Sequence, residues 1–230
     1  MRPEPVVVAP RSAGSAAGQL LPGHQQLEPD PVTPRTVSPT TMAVGILALG
    51  SSALYFLSDV IEVIQGGFSA GQLWLTFAAE AAIPIFVVGI ANVYQQRLGR
   101  LGKVSAWSYA YAYVVFTGTV VYALVNHIKD YQTLSGHLGA VMITHGAVMV
   151  LAGLGFGYAV FRTRPLPAWT GLSLMVGVGL VAVAQGLPDG AQLAAAGVRD
   201  FAFAGMGAAL LRTQRGPTVS RPDPGAAHRA

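Results

Sequence analysis

Six windows of about twenty apolar residues, separated by short polar breaks, leave this chain few ways to fold. They cover residues 41–64, 71–94, 104–126, 137–161, 168–185 and 191–211. A helix crosses the hydrocarbon of a bilayer in about 20 residues. Lipid offers no partner to a free backbone group, so only helices or a closed barrel can span it. Windows this long and this uniformly apolar exclude strands. A single large soluble core is excluded because the windows recur at bilayer length with polar breaks between them. The chain is 52% hydrophobic and only 10% charged, far from the balance of a soluble domain. The fold class is therefore all-α, a polytopic six-helix transmembrane bundle, residues 41–211. Its short connections make successive helices antiparallel neighbours.

The flanks differ in kind. Residues 1–40 and 212–230 are rich in Pro, Ala, Gly and Arg and carry no sustained period. Such composition cannot bury enough surface to offset ordering entropy, and both read as disordered tails. No apolar run follows a short basic start, so no secretory signal is expected. There is no cysteine, which removes disulfides, thiolate metal sites and cysteine nucleophiles. The formal charge is +4, but Lys and Arg flank the spans instead of forming one patch, which argues against nucleic acid as a partner. Arg2, Arg11, Arg35, Arg97, Arg100, Lys103, Arg162, Arg164, Arg212, Arg215, Arg221 and Arg229 fall on one side, Lys129 alone on the other. That asymmetry predicts a multi-pass plasma-membrane protein with both termini cytoplasmic.

Acids inside hydrocarbon-length segments are costly and point to function. Ser51, Tyr55, Asp59 and Glu62 step by four, four and three along the first span and share one helix face. Thr76 and Glu80 share a face of the second, and Pro84, four residues on, withholds an N–H from the Glu80 carbonyl and predicts a kink. Thr119, Tyr122 and Asn126 do the same on the third. His127, Lys129 and Asp130 follow in the next loop, and the fourth span starts at His137 and carries His145 two turns deeper. Arg199 and Asp200 sit near the middle of the sixth. The fifth has no ionisable residue and is expected to pack or face lipid. Tyr109, Tyr111 and Tyr113, with Trp107, read as an aromatic belt at the cytoplasmic interface. The pairs Gly153/Gly157, Ser173/Gly177 and Gly205/Ala209 suit close helix crossings.

These placements converge on the outer half of the bilayer and predict a pocket open to the extracytoplasmic face, closed below by apolar packing. The proposed catalytic set is Glu80, Asp200, Asp59 and His145; the binding set is Tyr55, Glu62, Tyr122, Asn126, Arg199 and Thr76. Four acids against one arginine and the histidines leave buried charge to be balanced by protons or a cation. Glu80, His145 and Asp59 come from three helices with no short ligand motif, so no metal is expected. No cofactor and no oligomeric state is assigned.

A first span ending in acid, an Ala/Glu/Pro second span and the basic-flanked RTRPLPAWTGLSLMVG before the fifth resemble uncharacterised bacterial six-helix integral membrane proteins of domain-of-unknown-function type, over residues 41–211. A looser likeness is to the small membrane-bound terpenoid cyclases, helical bundles, usually of seven helices, whose acids protonate an epoxide or alkene. Glu80 and Asp200 are the positions that match them in character. The leading expectation is a pocket that binds a hydrophobic or amphiphilic small molecule; whether the protein is an enzyme stays open, and as an enzyme it would transform that molecule by acid–base chemistry. In the pocket a protonated Glu80 would be the general acid, Asp59 and Asp200 would orient it, and His145 would shuttle the proton. A proton- or cation-coupled transporter and a structural accessory subunit are the alternatives.

Overall fold

Uninterrupted apolar sequence with few helix breakers gives six helices. The computed structural model describes residues 38–214. It holds α1 (Pro39–Gln65), α2 (Ala70–Val93), α3 (Gln95–Val125), α4 (Tyr131–Thr163), α5 (Ala168–Val183) and α6 (Asp189–Gln214). The expected tails fall almost wholly outside the described residues; within them, α1 begins at Pro39 and α6 runs on to Gln214.

All helices but α5 are long and apolar enough to cross a membrane. The 16 residues of α5 make only about 24 Å, short of the roughly 30 Å of hydrocarbon. Large apolar side chains cover the outer surface, among them Ile64, Ile143, Leu151 and Val183, each more than 70% exposed. In water that surface would be unfavourable; against acyl chains it is matched.

Each helix packs on its neighbours in the chain, and α6 closes on α1, so the six form a ring. The connections run from a single residue, Tyr94, to five, and alternate helices therefore run in opposite directions. One end carries Arg97, Arg100, Lys103, Arg162, Arg164 and Arg212 and is called the basic end here. The other, the acidic end, carries the α1–α2, α3–α4 and α5–α6 connections, with Asp130 and Asp189.

Two boundaries move from their expected places, for local reasons. α3 starts nine residues before 104, at Gln95. The segment QQRLGRLGK is too polar to register as a span, yet it is helical on both sides of Gly99, whose backbone (φ 64°, ψ −167°) only glycine adopts without strain. α4 starts six residues before His137. Asp130 caps it, Oδ1 accepting from the Thr133 N–H at 2.7 Å and Oδ2 from the Thr133 hydroxyl at 2.9 Å. The added turns end at Leu138, which is non-helical (φ −116°, ψ 16°). α2 continues through Pro84.

The middle of the ring is filled by Phe86, Tyr109, Tyr113, Phe156, Leu174, Phe203 and Met206, all almost wholly buried. The aromatic rings pack edge-on or tilted: Phe86 to Phe203 at 5.1 Å, Tyr109 to Tyr113 at 5.1 Å, Tyr109 to Phe203 at 6.2 Å. The interface-belt expectation fails for Tyr109 and Tyr113. Because α3 begins at Gln95, both lie well inside the bundle, while Tyr111 and Trp107, on other faces, remain exposed. Small residues permit the crossings that close the ring. A Cβ on Gly177 would lie 2.5 Å from the backbone N of Arg199, and one on Gly157 would lie 2.8 Å from the Gly171 carbonyl oxygen. Gly205 lies beneath the ring of Trp169.

Candidate functional site

The face shared by Tyr55, Asp59 and Glu62 on α1 turns into the ring, opposite Thr76 and Glu80 of α2 and Arg199 and Asp200 of α6. Asp59 lies about 9 Å from the acidic-end terminus of α1; Glu80 and Arg199 each lie about 15 Å from that end of their helices. The Tyr55 hydroxyl donates to Glu80 Oε1 at 2.8 Å. Its ring lies under the guanidinium of Arg199, with Cζ 4.3 Å from the ring centroid, a cation–π distance. Arg199 Nε donates to Asp200 Oδ1 at 3.0 Å, and Nη2 stands 3.9 Å from Asp59 Oδ2.

A second set of contacts continues toward the acidic end. Ser58 and Thr76 share a hydroxyl hydrogen bond at 2.6 Å. Gln72 Nε2 lies 3.0 Å from Ser58 Oγ, 3.0 Å from Thr76 Oγ1 and 3.2 Å from Glu62 Oε2. Ser58 is fully buried and Gln72 almost so. Neither residue is ionisable, so charge alone does not reveal them; the signal in the sequence is their i to i+4 spacing to Glu62 and Thr76.

Several polar atoms in this layer are buried without a partner: Glu80 Oε2, Arg199 Nη2, Asp200 Oδ2 and the hydroxyls of Tyr109 and Tyr113. Tyr109 and Tyr113 are wholly buried on the side of α3 that faces the ring, and their rings meet edge-on. Orphaned buried groups each carry a desolvation cost of about 1–3 kcal/mol. Four carboxyls (Asp59, Glu62, Glu80, Asp200) face one guanidinium, and the layer needs bound protons or a cation to balance it.

A cavity of about 670 Å³ opens from this layer to the acidic end. Tyr55, Asp59 and Arg199 lie at its inner end, and Asp130, Gln132, Ser135, Asp189 and Gln192 stand round its mouth. Those mouth residues were not expected. They depend on the capped extension of α4 and on the start of α6, which apolar windows do not reveal. The Thr133 backbone N–H, and then its hydroxyl, hold the fully exposed Asp130 carboxyl below the usual carboxylate range. The mouth loops are tied together by the Phe68 N–H, which donates to the Lys129 carbonyl at 2.6 Å.

Three expected site residues stand elsewhere. His145 is hydrogen-bonded through Nδ1 to the Val141 carbonyl at 2.8 Å and through Nε2 to the Tyr111 hydroxyl at 3.1 Å. Tyr111 is two residues from both Tyr109 and Tyr113, about 200° round the helix, and points away from the ring. Tyr122 pairs at 3.5 Å with His137 Nδ1, and the Asn126 amide donates to the Tyr122 carbonyl at 2.9 Å. Nine residues separate Tyr113 from Tyr122, about 180° at 100° per residue, which explains why their face misses the cluster. Thr119 is buried, but its hydroxyl bonds back to the Phe116 carbonyl of its own helix. Glu80 is in the cluster yet does not line the cavity; Tyr55 stands between them. Among the described residues no group of three His, Asp or Glu could hold a metal ion.

No protein-family model matches this sequence, and neither a curated protein nor a solved structure matches it.

Proposed function

We propose that this protein receives a small amphiphilic molecule in the acidic-end cavity, its polar or cationic group against Asp59 and Tyr55. The observation that carries the reading is the cavity itself: about 670 Å³ of space joining the acidic end to a buried, hydrogen-bonded ionisable layer. That volume lies within the roughly 300–1,000 Å³ of small-molecule sites. The acids around it, Asp59, Glu62, Asp130 and Asp189, favour a ligand that donates hydrogen bonds or carries positive charge. The basic end faces the cytoplasm, by the rule that basic residues stay inside, and the cavity opens outward from the plasma membrane. Acid–base chemistry there takes a proton from the ligand onto the Tyr55 oxygen as the Tyr55 hydroxyl passes its own to the Glu80 carboxylate, with Arg199 positioned by Asp200. His145 takes no part in it.

The test uses protein in lipid nanodiscs, exposed to a total membrane-lipid and metabolite extract, washed and analysed by mass spectrometry. A compound retained by the wild type should fall about tenfold in Asp59→Asn and in Tyr55→Phe, the loss of one interaction of roughly 1.4 kcal/mol. Thermal unfolding of both variants checks that they remain folded. Equal retention by all three proteins would remove the cavity from the function. Flux of protons in liposomes would instead make Asp59 and Glu80 carriers in a transporter.

A further inference from the structure

A second cavity, of about 750 Å³, lies at the opposite, basic end between α5, α6 and Leu49 of α1, and shares no residue with the first. We infer that it seats one anionic phospholipid of the surrounding leaflet, with the phosphate between Arg164 and Arg212 and an acyl chain along α6.

The apolar wall is built for a chain. Ala204, Gly205 and Ala208 form a shallow trough on α6. Trp169 and Phe201 close its side with ring centroids 5.3 Å apart. Gly205 has no side chain to push Trp169 away; a Cβ there would collide with the indole. The trough runs along helices whose outer faces are apolar, so its occupant comes from the bilayer with its own hydrocarbon.

The polar lip is built for an anion. Arg164 caps α4 in the left-handed conformation (φ 49°), its N–H bonded to the Val160 carbonyl at 3.0 Å, which turns the chain across the end of the groove. Among the described residues neither Arg164 nor Arg212 has a carboxylate partner. Arg162, by contrast, donates to the Tyr158 hydroxyl at 3.0 Å and does not line the groove. α5 starts beside the lip, at Ala168, without a side-chain cap, and its first-turn N–H groups add to the positive field. Two guanidiniums beside an apolar trough complement a phosphodiester with acyl chains.

Native mass spectrometry of protein released from nanodiscs of equal phosphatidylglycerol and phosphatidylcholine tests this. Each arginine near a membrane surface favours an anionic lipid about fivefold, so the wild type should keep one phosphatidylglycerol with a preference of about 25-fold. Arg164→Gln/Arg212→Gln should bring the ratio close to that of the mixture. Ala208→Phe, which fills the trough and spares both arginines, should also lose the retained lipid. Arg100→Gln/Lys103→Gln, outside the groove, should keep it. Equal retention of the two lipids by the wild type would overturn the assignment. So would unchanged retention in the Arg164/Arg212 variant, equal loss in the Arg100/Lys103 variant, or a lipid-free dimer in place of the lipid-bound monomer.

Discussion

The Tyr55 hydroxyl donates to Glu80 Oε1 at 2.8 Å, and it is the only hydrogen bond that the Glu80 carboxyl makes among the described residues, since Oε2 is buried with no partner. One bond thus links the acid deepest in α2 to a residue that lines the cavity. A merely structural acid in hydrocarbon would be expected to have both oxygens engaged; this one is half-satisfied and sits behind a tyrosine that can pass a proton on.

Removing that donor should therefore be costly in proportion to what it leaves stranded. Tyr55→Phe leaves both Glu80 oxygens unbonded and should destabilise by about 1–3 kcal/mol. Glu80→Leu removes the stranded group, and Tyr55→Phe on that background should cost far less. The double-mutant cycle should give a coupling of about 1–2 kcal/mol, measured by denaturant unfolding in detergent. Additive single effects would show that the two side chains do not depend on each other.

Much of this fold was legible because hydrocarbon length is a one-dimensional signal. Every expected span finds its helix, and the spacing of Tyr55, Asp59 and Glu62 identified the correct face of α1. What the apolar pattern could not carry was anything polar and local. The cap Asp130–Thr133 extends α4, and the helix before Val104 is amphipathic. Ser58 and Gln72 act through hydrogen bonds instead of charge. The misplacement of Tyr122, Asn126 and His145 has a geometric origin. Ranking residues by depth says nothing about azimuth, and the ring turns α3 by the Tyr109/Tyr113 face. Azimuth comes from packing partners, which a single sequence does not list.

The crossing of α5 and α6 sets the position of Arg199, and a pair of glycines can show it. A Cβ on Gly177 would lie 2.5 and 2.6 Å from the backbone N and Cα of Arg199. These are backbone atoms of a packed helix and cannot rotate away. Gly177→Ala should move α6 outward, destabilise by about 1–3 kcal/mol and weaken the Arg199 contacts with Asp59 and Tyr55. A Cβ on Gly179, two residues along, meets nothing within 4 Å. Gly179→Ala should be neutral or stabilising by up to about 1 kcal/mol, from helix propensity alone. Thermal unfolding of the two variants side by side decides the matter, and equal effects would mean that the crossing does not hold Arg199.

The mouth of the cavity should depend on acidity through Asp130. The Thr133 N–H and hydroxyl hold its carboxyl below the ordinary value of 3.8, so the charged form is the one that caps α4. A group whose value falls on folding contributes stability that is present above its unfolded value and lost as pH falls through the folded one. The turns Tyr131–Leu138 should therefore be protected at neutral pH and lose protection only below about pH 4. Asn also caps helices well but does not titrate. Asp130→Asn should keep protection and remove its acid dependence, whereas Asp130→Ala should expose the turns at every pH. Amide hydrogen exchange of residues 131–138, corrected for the intrinsic pH dependence of exchange, reads this directly. Wild-type protection unchanged down to pH 3 would mean that the extension is held by Leu134 and its apolar neighbours, and that the carboxylate adds nothing.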